Sequence, residues 1–264
     1  MDIKLWENGT PLYDESYGQP EPTLTPFLLP TYKEGQKHGC VIVCPGGGYA
    51  MRAEHEGWPI SKMLNEGGIS SFVLNYRVSP YRYPAELYDI QRAVRLVRYR
   101  ADEFGIDPDK IGVLGFSAGG HLATMGVTQY DAGLPEGDEI DRVSCRPDAG
   151  ILCYAVITLG VNTHGGSRDN LLGRPADPEL VRKLSGEAAV RDDCPPVFMW
   201  HTAEDGGVPV QNSLNMALAL REKKIPFELH VFPKGPHGLG LAPSLPDVAQ
   251  WAGLCVTWLK GLGF

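Results

Sequence analysis

One stretch of the chain sets a nucleophilic residue type where it can be activated. Gly115-Phe116-Ser117-Ala118-Gly119 holds a serine between two glycines. The apolar run Ile111-Gly112-Val113-Leu114 precedes it, and small and apolar residues follow through Thr124. Strand, sharp turn and helix with a serine at the apex is the layout of a nucleophile elbow. A Cβ at Gly115 or Gly119 would crowd the strand and helix that meet there. The turn lifts the Ser117 hydroxyl above the sheet edge. It also sets the Ala118 N–H at a helix start, where the dipole favours developing negative charge.

A serine nucleophile needs a base, and the base needs an orienting acid. Of seven histidines, His237 lies in Lys234-Gly235-Pro236-His237-Gly238-Leu239-Gly240, a loop directly after the last predicted strand. His38 and His230 fall within strands, His121 on the elbow helix, and His201 at a strand end beside the acid. His55 and His164 are further candidates for the pocket lining. Asp205, between a strand and a helix in His201–Pro209, is the expected acid, with Glu204 the alternative. Asp192 and Asp193 precede that strand, at its wrong end, and are expected to be solvated. Pro45-Gly46-Gly47-Gly48-Tyr49 follows an early strand. Backbone free of side chains can approach a carbonyl oxygen that becomes an oxyanion, so Gly47, Gly48 and Ala118 are the expected donors. Neither a dinucleotide fingerprint nor a P-loop occurs, which sets phosphate binding aside. No zinc-type spacing of His, Cys and Glu is present, and neither metal nor cofactor is expected.

These residues need a scaffold that brings them to one edge. His38–Cys44, Ile69–Tyr76, Ile111–Phe116, Ala149–Ile157, Pro196–His201 and Phe227–Phe232 read as strands, several as continuous apolar runs of the kind buried on both faces. Residues 56–67, 84–104, 210–223 and 248–262 read as helices. In the second of these, Leu87, Ile90, Val94, Val97 and Ala101 recur at helical spacing with arginines on the other face. Thr23–Pro30 contains prolines that suit an edge strand. Residues 1–22 read as an irregular opening segment, Asp107-Pro108-Asp109 as a turn, and 130–146 as loop. Strands alternating with helices predict an α/β fold with a mostly parallel sheet, which binds ligands at the carboxyl ends of its strands. Ser117, Asp205, His237 and the glycine loop each follow a predicted strand.

The chain has 264 residues, enough for one large domain, and 158–193 is expected to be a small cap inserted over the site. Its net charge of −8 disfavours nucleic acid and anionic membrane surfaces as partners and suits a neutral small-molecule substrate. No apolar run has the length of a membrane span, and no signal peptide pattern is seen. Six scattered cysteines without a C-x-x-C read as reduced thiols of a cytoplasmic protein.

Taken together, CPGGGY at 44–49, LNYRVSP at 74–80, IDPDKIGVLGFSAGGHLA at 106–123, HTAEDGGVP at 201–209 and GPHGLGL at 235–241 resemble the α/β-hydrolase-fold esterase/lipase superfamily. Within it the chain resembles bacterial acetyl esterases and acetylxylan-esterase-like carboxylesterases. The resemblance implies a Ser117–His237–Asp205 triad, short acyl esters of acetylated sugars or xylo-oligosaccharides as substrates, and compatibility with a homo-oligomer. Many relatives have a histidine where Pro45 stands. THGGSRDNLLG at 163–173 also resembles this subgroup and marks His164, Ser167 and Asn170 as substrate-binding candidates, and Tyr49 at the end of the glycine loop is a further one. A prolyl-oligopeptidase-like peptidase shares the fold but usually carries a large propeller. A non-catalytic binding protein of this fold usually lacks a triad member.

Overall fold

In the computed structural model, which describes residues 1–31, 33 and 35–264, the strands join in one eight-stranded sheet. They are β1 (Ile3–Lys4), β2 (Thr23–Phe27), β3 (His38–Cys44), β4 (Ser70–Asn75), β5 (Ile106–Phe116), β6 (Ala149–Cys153), β7 (Val197–Thr202) and β8 (Phe227–Phe232). Their spatial order is β1-β2-β4-β3-β5-β6-β7-β8. From β4 to β8 the pairing is parallel, whereas β2 runs antiparallel to β4 and to β1. The helices are α1 (Trp58–Glu66), α2 (Ala85–Tyr99), α3 (Ala101–Phe104), α4 (Ser117–Thr128), α5 (Gly165–Leu172), α6 (Pro178–Leu184), α7 (Gly186–Ala189), α8 (Gln211–Glu222), α9 (Pro246–Ala249) and α10 (Trp251–Gly261).

Strand β3 explains why the sheet is buried on both sides. Cys40, Ile42 and Cys44 enter one core with Ile90 and Val94 of α2, Leu122 of α4 and Met216 of α8. Val41 and Val43 enter the opposite core with Ile60 and Leu64 of α1 and Trp251 and Leu259 of α10. Alternate residues face alternate layers, so an uninterrupted apolar run is what such a strand requires. The chain steps from β3 to β4 on one side and then returns to β5 on the other. The crevice at that reversal is where an open α/β sheet binds ligands.

Several sequence expectations are corrected. Strand β2 is not the edge, because β1 pairs with Thr23 and Leu24; Pro26 is tolerated because β1 ends before reaching it. The turn expected at Asp107-Pro108-Asp109 is absorbed into β5 as an irregularity: His38 pairs with Ile106 and Cys40 with Ile111. The long helix breaks at Arg100 into α2 and α3. Its arginines do not all face solvent. Arg92 and Arg95 are buried beneath the 130–146 loop, paired with Asp138, Asp141 and Asp131. Segment 158–193, where one helical patch is expected, holds α5, α6 and α7.

Candidate active site

Four strands deliver the site from their carboxyl ends: β3 leads into the glycine loop, β5 into Ser117, β7 into Asp205 and β8 into His237. Ser117 has φ 51°, a left-handed backbone that a non-glycine residue adopts only when its surroundings hold it there. The neighbouring glycines are sterically required. A Cβ on Gly115 would lie 2.0 Å from the Gly119 carbonyl oxygen, and one on Gly119 would lie 2.2 Å from that of Cys44.

His237 Nε2 lies 2.8 Å from Ser117 Oγ, and its Nδ1 lies 2.7 Å from Asp205 Oδ2. Because a carboxylate only accepts, Nδ1 carries the proton and the bare Nε2 accepts from the serine hydroxyl. Oδ1 of Asp205 accepts the N–H groups of Gly207 and Val208 at 2.8 and 2.9 Å. His201 donates from Nε2 to the Val208 carbonyl, and the same nitrogen lies 3.4 Å from Asp205 Oδ2. Burial opposes the Asp205 charge. The hydrogen bonds from His201, His237 and Val208 outweigh it and hold this carboxyl well below the usual carboxylate range. Glu204 is exposed and takes no part.

The glycine loop turns on Gly47 and Gly48, both at positive φ. Glu56 takes the Gly46 N–H at 2.8 Å, while those of Gly47 and Gly48 meet no acceptor among the described residues. Ala118 N–H lies in the first turn of α4, where no intrahelical partner exists. A carbonyl oxygen entering here would find donors that need no reorganisation as charge develops on it. Ser117 Oγ, a base beside it and unengaged N–H groups can together support acyl transfer.

A family model described as BD-FAE matches residues 27–220. The chain belongs to the BD-FAE family. This is a family of α/β-hydrolase-fold esterases. The chain is 32% identical over 241 residues to an acetylxylan esterase of Xylanibacter ruminicola, covering 89% of this chain and 47% of that protein. It is 42% identical over 245 residues to endo-1,4-β-xylanase B of Butyrivibrio fibrisolvens, covering 90% of this chain and 38% of that protein. It therefore spans less than half the length of either curated relative. The crystal structure of an acetyl ester-xyloside bifunctional hydrolase from Caldicellulosiruptor lactoaceticus superposes with a TM-score of 0.96 at 50% identity, covering 100% of this chain and 97% of that one. A carboxylesterase of Lactobacillus plantarum gives a TM-score of 0.77 at 28% identity, covering 92% of each chain.

The substrate-binding candidates of this BD-FAE member are placed unequally. His164 caps α5, its Nδ1 accepting from the Ser167 backbone N–H, and its Cε1 lies 3.9 Å from where a Gly48 Cβ would stand. The other nitrogen, Nε2, is then the protonated one and meets no partner among the described residues. Burial, with the neighbouring His237, lowers the His164 pKa from its ordinary value and favours the neutral ring. Ser167 is buried, its hydroxyl against His164 Nδ1, and Asn170 Nδ2 donates to the Gly48 carbonyl. These two brace the pocket. Tyr49, expected to contact substrate, is fully buried, its hydroxyl 2.9 Å from His121 Nδ1.

Sequence reasoning missed a second buried array. Glu56 is 2% exposed although it sits in the polar run Glu54-His55-Glu56. Its Oε2 takes the Gly46 N–H, and its Oε1 accepts the Tyr154 hydroxyl at 2.5 Å. Tyr154 in turn accepts the Gly240 N–H at 2.8 Å and packs edge-on to the His237 ring. One carboxylate thus ties the glycine loop to the loop that carries His237. The one sequence signal is an acid directly before Gly57-Trp58-Pro59, the opening of α1.

Proposed function

We propose that this chain is a serine carboxylesterase that removes short acyl groups, acetyl above all, from acetylated xylan-type oligosaccharides. The observation that carries this reading is the unbroken path Asp205–His237–Ser117, closed at 2.7 and 2.8 Å. His237 Nε2 takes the hydroxyl proton as Ser117 Oγ attacks the ester carbonyl. Gly47, Gly48 and Ala118 donate to the oxyanion, and Asp205 stabilises the imidazolium. Collapse expels the alcohol, which leaves with the proton from His237. Water, deprotonated by the same nitrogen, then releases the acid from the acyl-serine. Residues 158–193 act as a cap on a single 1–264 domain, a role supported by the hydrogen bond from Asn170 to the Gly48 carbonyl and by the His164 ring beside Gly48. The sugar assignment draws on the acetylxylan esterase and the acetyl ester-xyloside hydrolase among the relatives. A net charge of −8 suits a neutral substrate, and six free, buried cysteines support a reducing, cytoplasmic setting.

The test is hydrolysis of p-nitrophenyl acetate, butyrate and octanoate, and acetate release from acetylated xylotetraose, by wild type and Ser117→Ala. Activity that falls with chain length and vanishes in the variant is expected. Equal rates in both proteins would overturn the reading.

A further inference from the structure

Beyond the glycine loop, away from Ser117, lies a cleft of about 750 Å³. The loop has two sides. Gly46 backs onto Ser117, since a Cβ there would come 3.1 Å from the Ser117 Cβ. Pro45 and the stretch from Ala50 to Glu54 line the cleft instead, facing Tyr17, Trp58 and Asn75. The cleft therefore shares its wall with the oxyanion loop, at the carboxyl ends of β3 and β4.

Its lining is specific in chemistry. Trp58 is 57% exposed, Met51 58% and Tyr17 42%, three large apolar surfaces gathered on one cavity. The Trp58 indole N–H, the Tyr17 hydroxyl, the Glu54 carboxylate and Asn75 Oδ1 bond to no other described residue. Arg52 spends one nitrogen on the Tyr76 carbonyl, and its others bond to no other described residue. Arg52 and Glu54 are the charged residues of the lining and cancel, so neither an anionic polymer nor a cation is favoured. Flat apolar faces beside unengaged amide, carboxylate and guanidinium groups match a neutral pyranose chain, whose rings present C–H faces and rims of hydroxyls.

We propose that this cleft binds the sugar residues flanking the acetylated one, so that Trp58 and Tyr17 hold a neutral xylo-oligosaccharide while the glycine loop receives its ester. The link to the ester rests on the esterase reading above; the binding of the sugar does not. Two measurements separate them. Xylotetraose is titrated into Ser117→Ala with and without Trp58→Ala or Tyr17→Ala, by calorimetry. Steady-state kinetics of the single variants Trp58→Ala and Tyr17→Ala then compare p-nitrophenyl acetate with acetylated xylotetraose. Expected are binding weakened about 10-fold by Trp58→Ala and less by Tyr17→Ala, and a matching rise in KM for the acetylated sugar with kcat held. The p-nitrophenyl acetate reaction should not change. No xylotetraose binding to the parent, binding indifferent to both substitutions, or equal losses on both esters would overturn the proposal. Loss of the esterase reading would register elsewhere, as p-nitrophenyl acetate turnover that does not need Ser117.

Discussion

Asp205 and Glu86 are both buried carboxyls, 7% and 0% exposed, yet they stand in opposite states. Asp205 accepts two backbone N–H groups and the His237 Nδ1 proton, and stays charged. Glu86, in the first turn of α2, meets no hydrogen-bond partner from another residue among the described ones. Burial, with the charge of Asp89 added, pushes it up to about 8, so at neutral pH it holds its proton. Burial alone therefore does not decide whether an acid can orient a catalytic imidazole. The donors around it do.

The largest expected effect breaks the Asp205 side of that contrast. Asp205→Asn should lower kcat by about 10³–10⁴-fold, because an amide presents N–H to the imidazole and favours the wrong tautomer. Glu204→Gln should leave kcat nearly unchanged, and the reverse ranking in p-nitrophenyl acetate kinetics would reassign the acid. Next comes Asp89, as buried as Glu86 but bound to Arg77 through both carboxylate oxygens. Asp89→Ala leaves that guanidinium buried and uncompensated, so urea unfolding should register a loss of about 3–5 kcal/mol.

A pH series sharpens the comparison further. The pKa of Glu86 is raised on folding, so its contribution is complete below about 4.5 and is lost as pH climbs towards about 8. That of Asp205 is depressed, so its contribution holds above the ordinary carboxylate range and is lost as pH falls. The urea midpoint should decline towards both ends, with Glu86→Met flattening the alkaline limb and Asp205→Asn the acid one. A smaller loss than that of Asp205→Asn is expected of Glu56→Gln, about a 10-fold fall in kcat with KM little changed. The amide can still accept from Gly46 but can no longer offer oxygens to both of its partners.

The elbow was legible in the sequence because its constraint is local. Gly115 and Gly119 admit no side chain, and Ser117 lies between them within a single turn. Asp205 and His237 were legible because each follows a strand whose apolar run is unmistakable. Glu56 was not: its partner Tyr154 lies 98 residues away, and nothing near it in the chain marks it as buried. Arg92 and Arg95 misled for the same reason, since the loop that covers them begins some 35 residues later, and a helical face reports only its own composition. Tyr49 follows the glycines so closely that its type and place suggested a substrate contact, while its backbone at φ 57° sends the ring inward onto His121.

Strands β3 and β6 carry Cys40, Cys44 and Cys153 into the layers on either side of the sheet, α10 carries Cys255, and all six thiols are buried and free. A thiol reagent has nothing to label on the native surface. Its uptake would count the opening of the molecule from the inside, so the protein carries its own unfolding clock, with Cys44 and Cys153 reporting on the strands that flank the Ser117 elbow.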